Sequence, residues 1–258
     1  NLTVDSYYGE SASVINYPIS DTSWAAPKPT DDGYKVAFST GADGKDIYTS
    51  DMDADAKYAA ALEAAKQYFI AAGYTYNKSS GKFTAAPKGA SLEYEIIIPA
   101  DGTGDHPSFM LCTKFKEAMA TIGFNIIIND PSDANVLWDA LDADTNELWC
   151  AAWGATIDPD MYQIYHSDDM TGSNNYSIAD PKLDELIIKA RTSDDQAFRK
   201  ATYKACLDII IDWAVEVPIY QRQNCIIFSS ERVNMDTVTP DITTFWVWWN
   251  DIELLEMN

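Results

Sequence analysis

The sequence predicts an α/β fold in which a mixed, mostly parallel sheet is flanked by helices. Short apolar runs at residues 92–100, 124–130 and 147–154 alternate with stretches whose apolar residues recur at helical spacing. That alternation is typical of a parallel sheet covered on both faces. The chain has 258 residues, of which 47% are hydrophobic, so it has enough apolar side chains for a large core in one domain or at most two.

The first segments predict a loop, a helix and a hairpin. Residues up to about 55 combine prolines, Ser, Thr and Asp with Trp24, which indicates a loop that lies over a surface. From Asp53 to Ala72, apolar residues recur every three or four positions, and Gly73 follows as a helix stop. The polar stretch "NKSSGK" at 77–82 then predicts a hairpin-like turn.

The middle of the chain predicts a β-α-β unit and its extension. The strand "LEYEIIIPA" precedes a helix whose apolar face carries Leu111, Phe115, Ala118 and Ile122, and "FNIIIND" is the next strand. The stretch "SDANVLWDALD" predicts a further helix, and "ELWCAAWG" predicts a strand that runs to Gly154.

Capping residues indicate where the last two helices begin. Asp180 and Pro181 fit the N-cap and the first helical position. Ser193 and Gln196 have the spacing of a capping box. After these helices, residues 217–230 predict one strand or two.

Charge and cysteine content narrow the class of protein. With 40 acidic and 18 basic residues the formal charge is −22, which repels phosphate backbones and anionic bilayers, so nucleic acid is not an expected partner. The first ten residues have neither the basic nor the apolar region of a signal peptide, which fits either a cytoplasmic protein or a processed piece. The 4 cysteines show no CxxC spacing and are interpreted as buried thiols rather than a disulfide framework.

Metal and nucleophile motifs are weak in this sequence. The acids from Asp51 match the start of a calcium loop, but Ala56 stands where that loop needs glycine. These acids are better explained as caps of the helix that follows. His106 and His166 have no close Cys or second His, so no metal site is expected, and no serine-hydrolase or phosphate-loop motif is present.

The segment "AAWGATIDPDMYQIYHS", at 151–167, invites three interpretations. Asp158 and Asp160 could act as the acid pair of a glycoside hydrolase. The pattern Asp158-Pro159 is more typical of a helix start, and we expect Asp158 to cap one. The end of the preceding strand is also where open α/β sheets bind small ligands, so we expect a pocket wall with Trp153 as an apolar face and Gly154 as a point of close backbone approach. A purely structural alternative is that Trp153 belongs to the core.

The order of these segments resembles a known family. "AAKQYFIAAGY", "YEIIIPA", "ATIGFNIIIND", "WG" followed by "DPD", "DPKLDELI", "ART" and "VPIYQR" together resemble the C-terminal half of the oligopeptide- and dipeptide-binding proteins of ABC importers, solute-binding family 5. The resemblance covers nearly all of the chain and implies a lobe of the type II periplasmic-binding-protein fold. It implies a proline-rich segment at 1–52 that wraps the lobe, a ligand-binding lobe at 53–230, and a return segment at 231–258 toward a missing first lobe.

The resemblance also implies a function without catalysis. It implies binding of a peptide in the cleft of a monomeric, extracytoplasmic protein, either periplasmic or a cell-surface lipoprotein, which delivers its ligand to a membrane permease without a cofactor. The implied ligand-binding residues are Trp153, Gly154, Thr156, Asn175 and Tyr176, with Trp138, Phe245 and Trp246 as further apolar contacts.

Two departures from the family pattern affect the expected ligand. Dipeptide-binding relatives carry Gly-Asp before "DPD" to pair with the ligand amine, whereas this chain has Gly154-Ala155. They also present an arginine after the first strand, whereas "IIIPADGTGDHP" has no basic residue. Without both charged groups, longer peptides held through backbone hydrogen bonds are the better expectation. The alternatives are a nickel chelate or an oligosaccharide on the same fold, and a secreted hydrolase that uses Asp158.

Overall fold

Helices and strands alternate along the chain, as the sequence predicts. A computed structural model describes residues 9–99, 101–169, 172–240, 242–243 and 246–258. The described residues divide into two compact units. The sheet unit comprises Lys28–Ala152 and Ser167–Ile178, and the helical unit comprises Asn1–Pro27, Trp153–His166 and Ala179–Asn258. The boundaries predicted at 52 and 230 stay a prediction.

The sheet unit contains the predicted β-α-β unit. Strands β4 (Glu93–Ile97) and β5 (Asn125–Asn129) pair in parallel, and helix α2 (Pro107–Thr121) connects them. Strand β6 (Leu148–Trp149) pairs in parallel with the other edge of β4, after helix α3 (Asn135–Asp142). The strand order β5-β4-β6 therefore puts β4 in the centre, and its last two residues, Ile96 and Ile97, are buried.

Successive residues of the sheet point to opposite faces and build two clusters. On one face, Ile96 and Ile98 pack with Cys112 from α2. On the other face, Ile97 packs with Leu137 and Leu141 from α3. The sheet is thus covered by a helix on each side, which is the physical origin of the mixed α/β pattern.

The start of the sheet unit also follows its sequence pattern. Helix α1 (Ala54–Ala71) begins where Asp53 accepts a hydrogen bond of 2.8 Å from the Ala56 amide, so the capping role predicted for the acids of this segment is confirmed for Asp53. Strands β2 (Thr75–Asn77) and β3 (Lys82–Ala85) form the predicted hairpin. Aromatic side chains of the hairpin, of α1 and of the residue before β5 form one cluster. Its members are Phe69, Tyr74, Tyr76, Phe83 and Phe124.

The strand predicted up to Gly154 is shorter than expected. Ladder pairing with β4 covers Leu148 and Trp149, and the last bond runs from the Cys150 amide to the Ile97 carbonyl at 3.0 Å. Beyond that point β4 continues into Pro99, which has no amide hydrogen to donate. The chain after Cys150 therefore leaves the sheet as a loop.

In the helical unit, the apolar faces of two helices pack against each other. Helix α5 (Pro181–Arg191) buries Leu183, Ile187 and Ala190, and helix α6 (Gln196–Trp213) buries Tyr203, Cys206, Leu207 and Ile210. Asp180 caps α5 by accepting hydrogen bonds from the amides of Lys182 and Leu183, at 2.9 and 3.1 Å, with Pro181 at the first position. This confirms the start predicted for α5.

One other sequence prediction in this unit needs correction, and of the one or two strands predicted in residues 217–230 the structure has one. The capping box of Ser193 and Gln196 is wrong, because Asp195 is the N-cap of α6 and accepts from the amides of Ala197 and Phe198 at 2.9 and 3.1 Å. A carboxylate placed directly before the helix binds these amides, and Ser193 instead accepts from the Asp195 amide. In residues 217–230 only β7 (Tyr220–Arg222) forms a strand, antiparallel to β1 (Ala12–Val14).

Gly123 provides a test of the packing between α2 and the hairpin. Its φ is +99°, and a Cβ atom there would lie 2.8 Å from the Phe83 carbonyl oxygen. We expect Gly123→Ala to lower the free energy of unfolding by roughly 3 kcal/mol, because it combines left-handed strain with a backbone clash. Gly89→Ala, at φ +87° with open space around the added atom, is the matched control and should cost only about 1 kcal/mol. Equal losses in urea titrations of the two variants would contradict this account.

Candidate functional site

The loop that follows β6 is exposed to solvent. Trp153 exposes 43% of its surface and Ile157 exposes 69%. A Cβ atom added at Gly154 would meet open space, so backbone is accessible there. Pro159 ends the exposed stretch, because it is buried. The alternative in which Trp153 is a core residue is therefore wrong, and the loop is available for contact with a ligand.

Asp158 holds the far end of this loop through an ion pair. Both of its carboxylate oxygens accept hydrogen bonds from Nη2 of Arg199, at 2.7 and 2.8 Å. The short helix α4 (Tyr162–Tyr165) begins four positions later and has no side-chain cap. The prediction that Asp158 is a helix cap is therefore wrong, because its carboxylate binds an arginine from a distant segment and lies too far before α4 to cap it.

Arg199 is itself held on several sides within the helical unit. Its Nε donates to the Ala190 carbonyl oxygen at 3.0 Å, and its Nη2 lies 3.0 Å from the Tyr203 hydroxyl. The guanidinium also lies over the ring of Trp24, 5.3 Å from its centroid. The hydrogen bonds to Asp158 raise the pKa of Arg199 above its ordinary value, so the cation persists at physiological pH. Arg199 thus connects the loop, both long helices and the opening segment.

A second arginine pairs with the second acid. Nε of Arg191 lies 3.3 Å from an oxygen of Asp160, and its guanidinium lies 4.4 Å from the centroid of the Tyr162 ring. Tyr162 in turn stacks on His166, with ring centroids 4.3 Å apart. Each of the two acids therefore has an arginine partner, which is the arrangement of a structural support and not of a shared-proton acid pair.

His166 is a buried part of this support. It exposes 6% of its surface, and its Nδ1 lies 3.9 Å from an oxygen of Asp184 in α5. Among the residues that the structure describes, no group of three or more His, Cys, Asp or Glu side chains is placed to hold a metal ion.

The remaining predicted contacts lie on several elements. In the sheet unit, Tyr176 stacks on Trp149 with centroids 5.3 Å apart, Asn175 is half-buried, and Trp138 on α3 exposes 43% of its surface. In the helical unit, Trp246 exposes 49% and donates from Nε1 to Asp251 at 2.8 Å. Phe245 lies outside the described residues.

Only some of the predicted residues are brought together in the structure. Trp153, Gly154 and Thr156 share one exposed loop, in which the Thr156 hydroxyl donates to the Asp158 carbonyl at 2.6 Å. Two surface depressions in the sheet unit, of about 580 and 380 Å³, are lined by other residues, including Phe83 and Glu95. A single pocket formed by all eight residues stays a prediction.

Sequence reasoning missed the residues that support the loop. Arg199 and Arg191 are far from Asp158 and Asp160 along the chain, and no local motif connects them. One signal was present: Arg199 precedes Tyr203 by one helical turn, which places a cation on the face of α6 that is otherwise buried. The sequence predicts that Trp149 is a strand residue, but no pattern in it indicates that Trp149 stacks on Tyr176.

Solved structures that resemble the chain are solute-binding proteins. The oligopeptide-binding protein AppA from Bacillus subtilis, in complex with a nonapeptide, matches with a TM-score of 0.64 and 14% identity over 100% of this chain and 45% of its own. The murein tripeptide binding protein MppA from Escherichia coli matches with a TM-score of 0.59 and 16% identity over 86% of this chain and 36% of its own. NikZ from Campylobacter jejuni, in complex with Ni(L-His), matches with a TM-score of 0.58 and 21% identity over 84% and 38%.

The chain has the periplasmic-binding-protein fold. This confirms, for the fold, the resemblance to the oligopeptide- and dipeptide-binding proteins that the sequence indicates. The chain spans less than half the length of each of these three proteins. No protein-family model and no curated sequence matches it. None of the described helices has the length and apolar character needed to cross a bilayer.

The ion pair below the loop can be tested by a double-mutant cycle. We expect a coupling energy between Asp158→Asn and Arg199→Ala of about 0.5–1 kcal/mol, because Asp158 is largely exposed and water screens the pair. Arg199→Ala alone should cost about 2 kcal/mol, since it also removes the bonds to Ala190 and Tyr203. Asp43→Asn, which breaks the highly exposed pair with Lys45, is the control and should leave stability unchanged. Zero coupling in thermal or urea unfolding would contradict a supporting role for the pair.

Proposed function

We propose that the chain forms one lobe of an extracytoplasmic solute-binding protein that captures peptides for an ABC importer. The observation that carries this proposal is the exposed loop at 152–158, directly after β6, on a fold shared with peptide-binding proteins. In that proposal, residues 53–230 are the lobe itself, and the rest of the cleft comes from a part of the protein that this chain does not contain.

The support of the loop is suited to binding. Trp153 and Ile157 present large apolar surfaces, and Gly154 leaves backbone N–H and C=O groups open to an extended ligand. Arg199 and Arg191 fix the acids at the end of the loop, so little conformational entropy is lost when a ligand orders it. Preorganisation of this kind favours a receptor that holds many related ligands through main-chain contacts.

The charged groups in the loop after β4 favour a peptide ligand that is held through its backbone. The loop after β4 carries carboxylates instead of a basic residue, and the Asp130 side chain accepts hydrogen bonds from the amides of Gly102 and Gly104, at 3.1 Å each. No cation of that loop is available for a ligand carboxylate. With Ala155 in place of an acid, an ion pair with the amine is also missing, so the selectivity for short zwitterions is expected to be low.

The proposed protein is a receptor and not an enzyme. Asp158, the residue a hydrolase would need, is bound on both oxygens by Arg199. A carboxylate whose two oxygens are both engaged by a cation is poorly placed to exchange a proton with a substrate. The proposed partners are a peptide and a membrane permease, the proposed protein is a monomer, and its location is the periplasm or the outer surface of the membrane.

Replacing Trp153 tests the loop as a binding surface. In the whole protein, Trp153→Ala should weaken the binding of a peptide mixture by about tenfold, since an exposed aromatic contact is worth roughly 1–2 kcal/mol. Trp249→Ala removes a tryptophan that is similarly exposed, at 56%, and is the control for nonspecific effects. Titration calorimetry that finds equal affinity for both variants would exclude the loop from the site.

The nature of the ligand is tested by native mass spectrometry of the whole protein as purified. We expect a distribution of peptides; a single nickel complex or a glycan would instead support one of the alternative solutes. Asp158→Asn is the test of the hydrolase alternative. Turnover of a glycoside or peptide library by the unmodified protein, abolished in this variant, would overturn the receptor proposal.

A further inference from the structure

Two cysteines face each other between α2 and the end of β6. Alternation along β6 sends Leu148 and Cys150 to the cluster on the α2 side of the sheet, and Trp149 to the opposite cluster. Cys112, from the second turn of α2, is 2% exposed and belongs to that same cluster on the α2 side. The packing of α2 against the sheet therefore brings both thiols to the same cluster, although they are far apart in the sequence.

The two thiols belong to one cluster and influence each other's protonation, and Ser108, one helical turn before Cys112, also acts on Cys150. The neighbouring Cys112 and Ser108 lower the pKa of the Cys150 thiol below its ordinary value, whereas the neighbouring Cys150 and burial raise the pKa of Cys112. The other side chains that pack around the pair are apolar, among them Ile96, Ile98 and Phe109.

The pair differs from the remaining cysteines in access and partners. Cys150 is half-buried and directly follows β6, an edge strand of the described sheet, so it is more accessible than the buried Cys112. Cys206 is buried among apolar residues of α6, where desolvation raises its pKa to about 12. Cys225 is exposed. A reactive thiolate beside a second thiol is the arrangement on which disulfide exchange depends.

We propose that Cys112 and Cys150 form a reversible disulfide that links α2 to the end of β6. The oxidant is a low-molecular-weight disulfide, such as oxidised glutathione. The inference is independent of the proposed ligand, because both cysteines belong to the sheet unit and neither is among the predicted binding residues.

The exchange proceeds in two steps. The Cys150 thiolate attacks one sulfur of the oxidant and breaks its S–S bond, forming a mixed disulfide and releasing the other half of the oxidant as a thiolate, which takes up the proton lost by Cys150. Cys112 then loses its proton, and its sulfur attacks Sγ of Cys150. This breaks the mixed disulfide and releases the second thiol. Two protein thiols are oxidised and one small disulfide is reduced to two thiols, so atoms and electrons balance.

The crosslink would fix the base of the loop that carries Trp153. It joins the first half of α2 to the last ladder position of the sheet and closes the chain between residues 112 and 150. A crosslink over a loop of this length restricts the unfolded chain, so the oxidised protein should melt about 5 °C above the reduced protein.

Mass spectrometry gives the direct test. The whole protein is incubated with oxidised glutathione at pH 8, unfolded, treated with iodoacetamide and digested. We expect a peptide pair joined through Cys112 and Cys150, with Cys206 and Cys225 recovered as alkylated residues. Recovery of all four cysteines as alkylated residues, a stable glutathione adduct on Cys150, or a crosslink that includes Cys225 would each overturn the proposal.

Matched variants separate the crosslink from a general effect of oxidation. Cys225→Ala should retain the rise in melting temperature on oxidation, whereas Cys112→Ala should lose it and keep glutathione on Cys150. The reverse pattern would contradict the proposal.

Alkylation rates supply a second measurement that does not depend on the melting of a variant. In the unmodified protein the rate at Cys150 should reach half its maximum below the value of about 8.5 for a free thiol. A midpoint at or above that value would contradict the proposed thiolate. Loss of the neighbouring Cys112 thiol raises the pKa of Cys150, so the midpoint in Cys112→Ala should move to higher pH, and an unchanged midpoint would also count against the pairing.

Discussion

The central strand β4 is the constraint on which the sheet unit depends. It pairs in parallel with β5 on one edge and β6 on the other, and the side chains at its buried end point to two covered faces. Ile96 and Ile98 enter the cluster under α2, and Ile97 enters the cluster under α3. A slip of one residue would exchange these faces, and the register is therefore fixed by packing on both sides.

The exposed loop follows from the way this sheet ends. Pairing between β4 and β6 ceases at Trp149 because β4 reaches a proline, and the next segment has no strand to continue along. A backbone released from a ladder must find other partners or remain in water. Here the loop remains largely exposed, and arginines from α5 and α6 bind the two acids that follow it. The exposed loop and the two arginines that support it thus come from different parts of the sequence.

The same separation explains the cysteines and the acidic loop. The absence of CxxC spacing favoured isolated buried thiols, yet the packing of α2 on the sheet brings Cys112 to Cys150. Asp130, directly after β5, organises the loop that follows β4 by accepting from two of its amides, and no local sequence pattern connects these two segments. In each case the chemistry of a side chain was visible in the sequence, whereas its partner was set by tertiary contacts.

By itself, the sequence determined the kinds and order of the elements, the β-α-β unit and several helix starts, because periodicity and capping act over a few residues. The capping aspartates at 53 and 180 are examples, and the family resemblance gave the fold. Only the tertiary structure decided that β6 stops at Trp149, that Asp195 caps α6, and that Asp158 pairs with Arg199 instead of capping a helix. The physical reason is that strand length and ion pairing depend on which backbone or charge from a distant segment arrives alongside, and no local pattern carries that information.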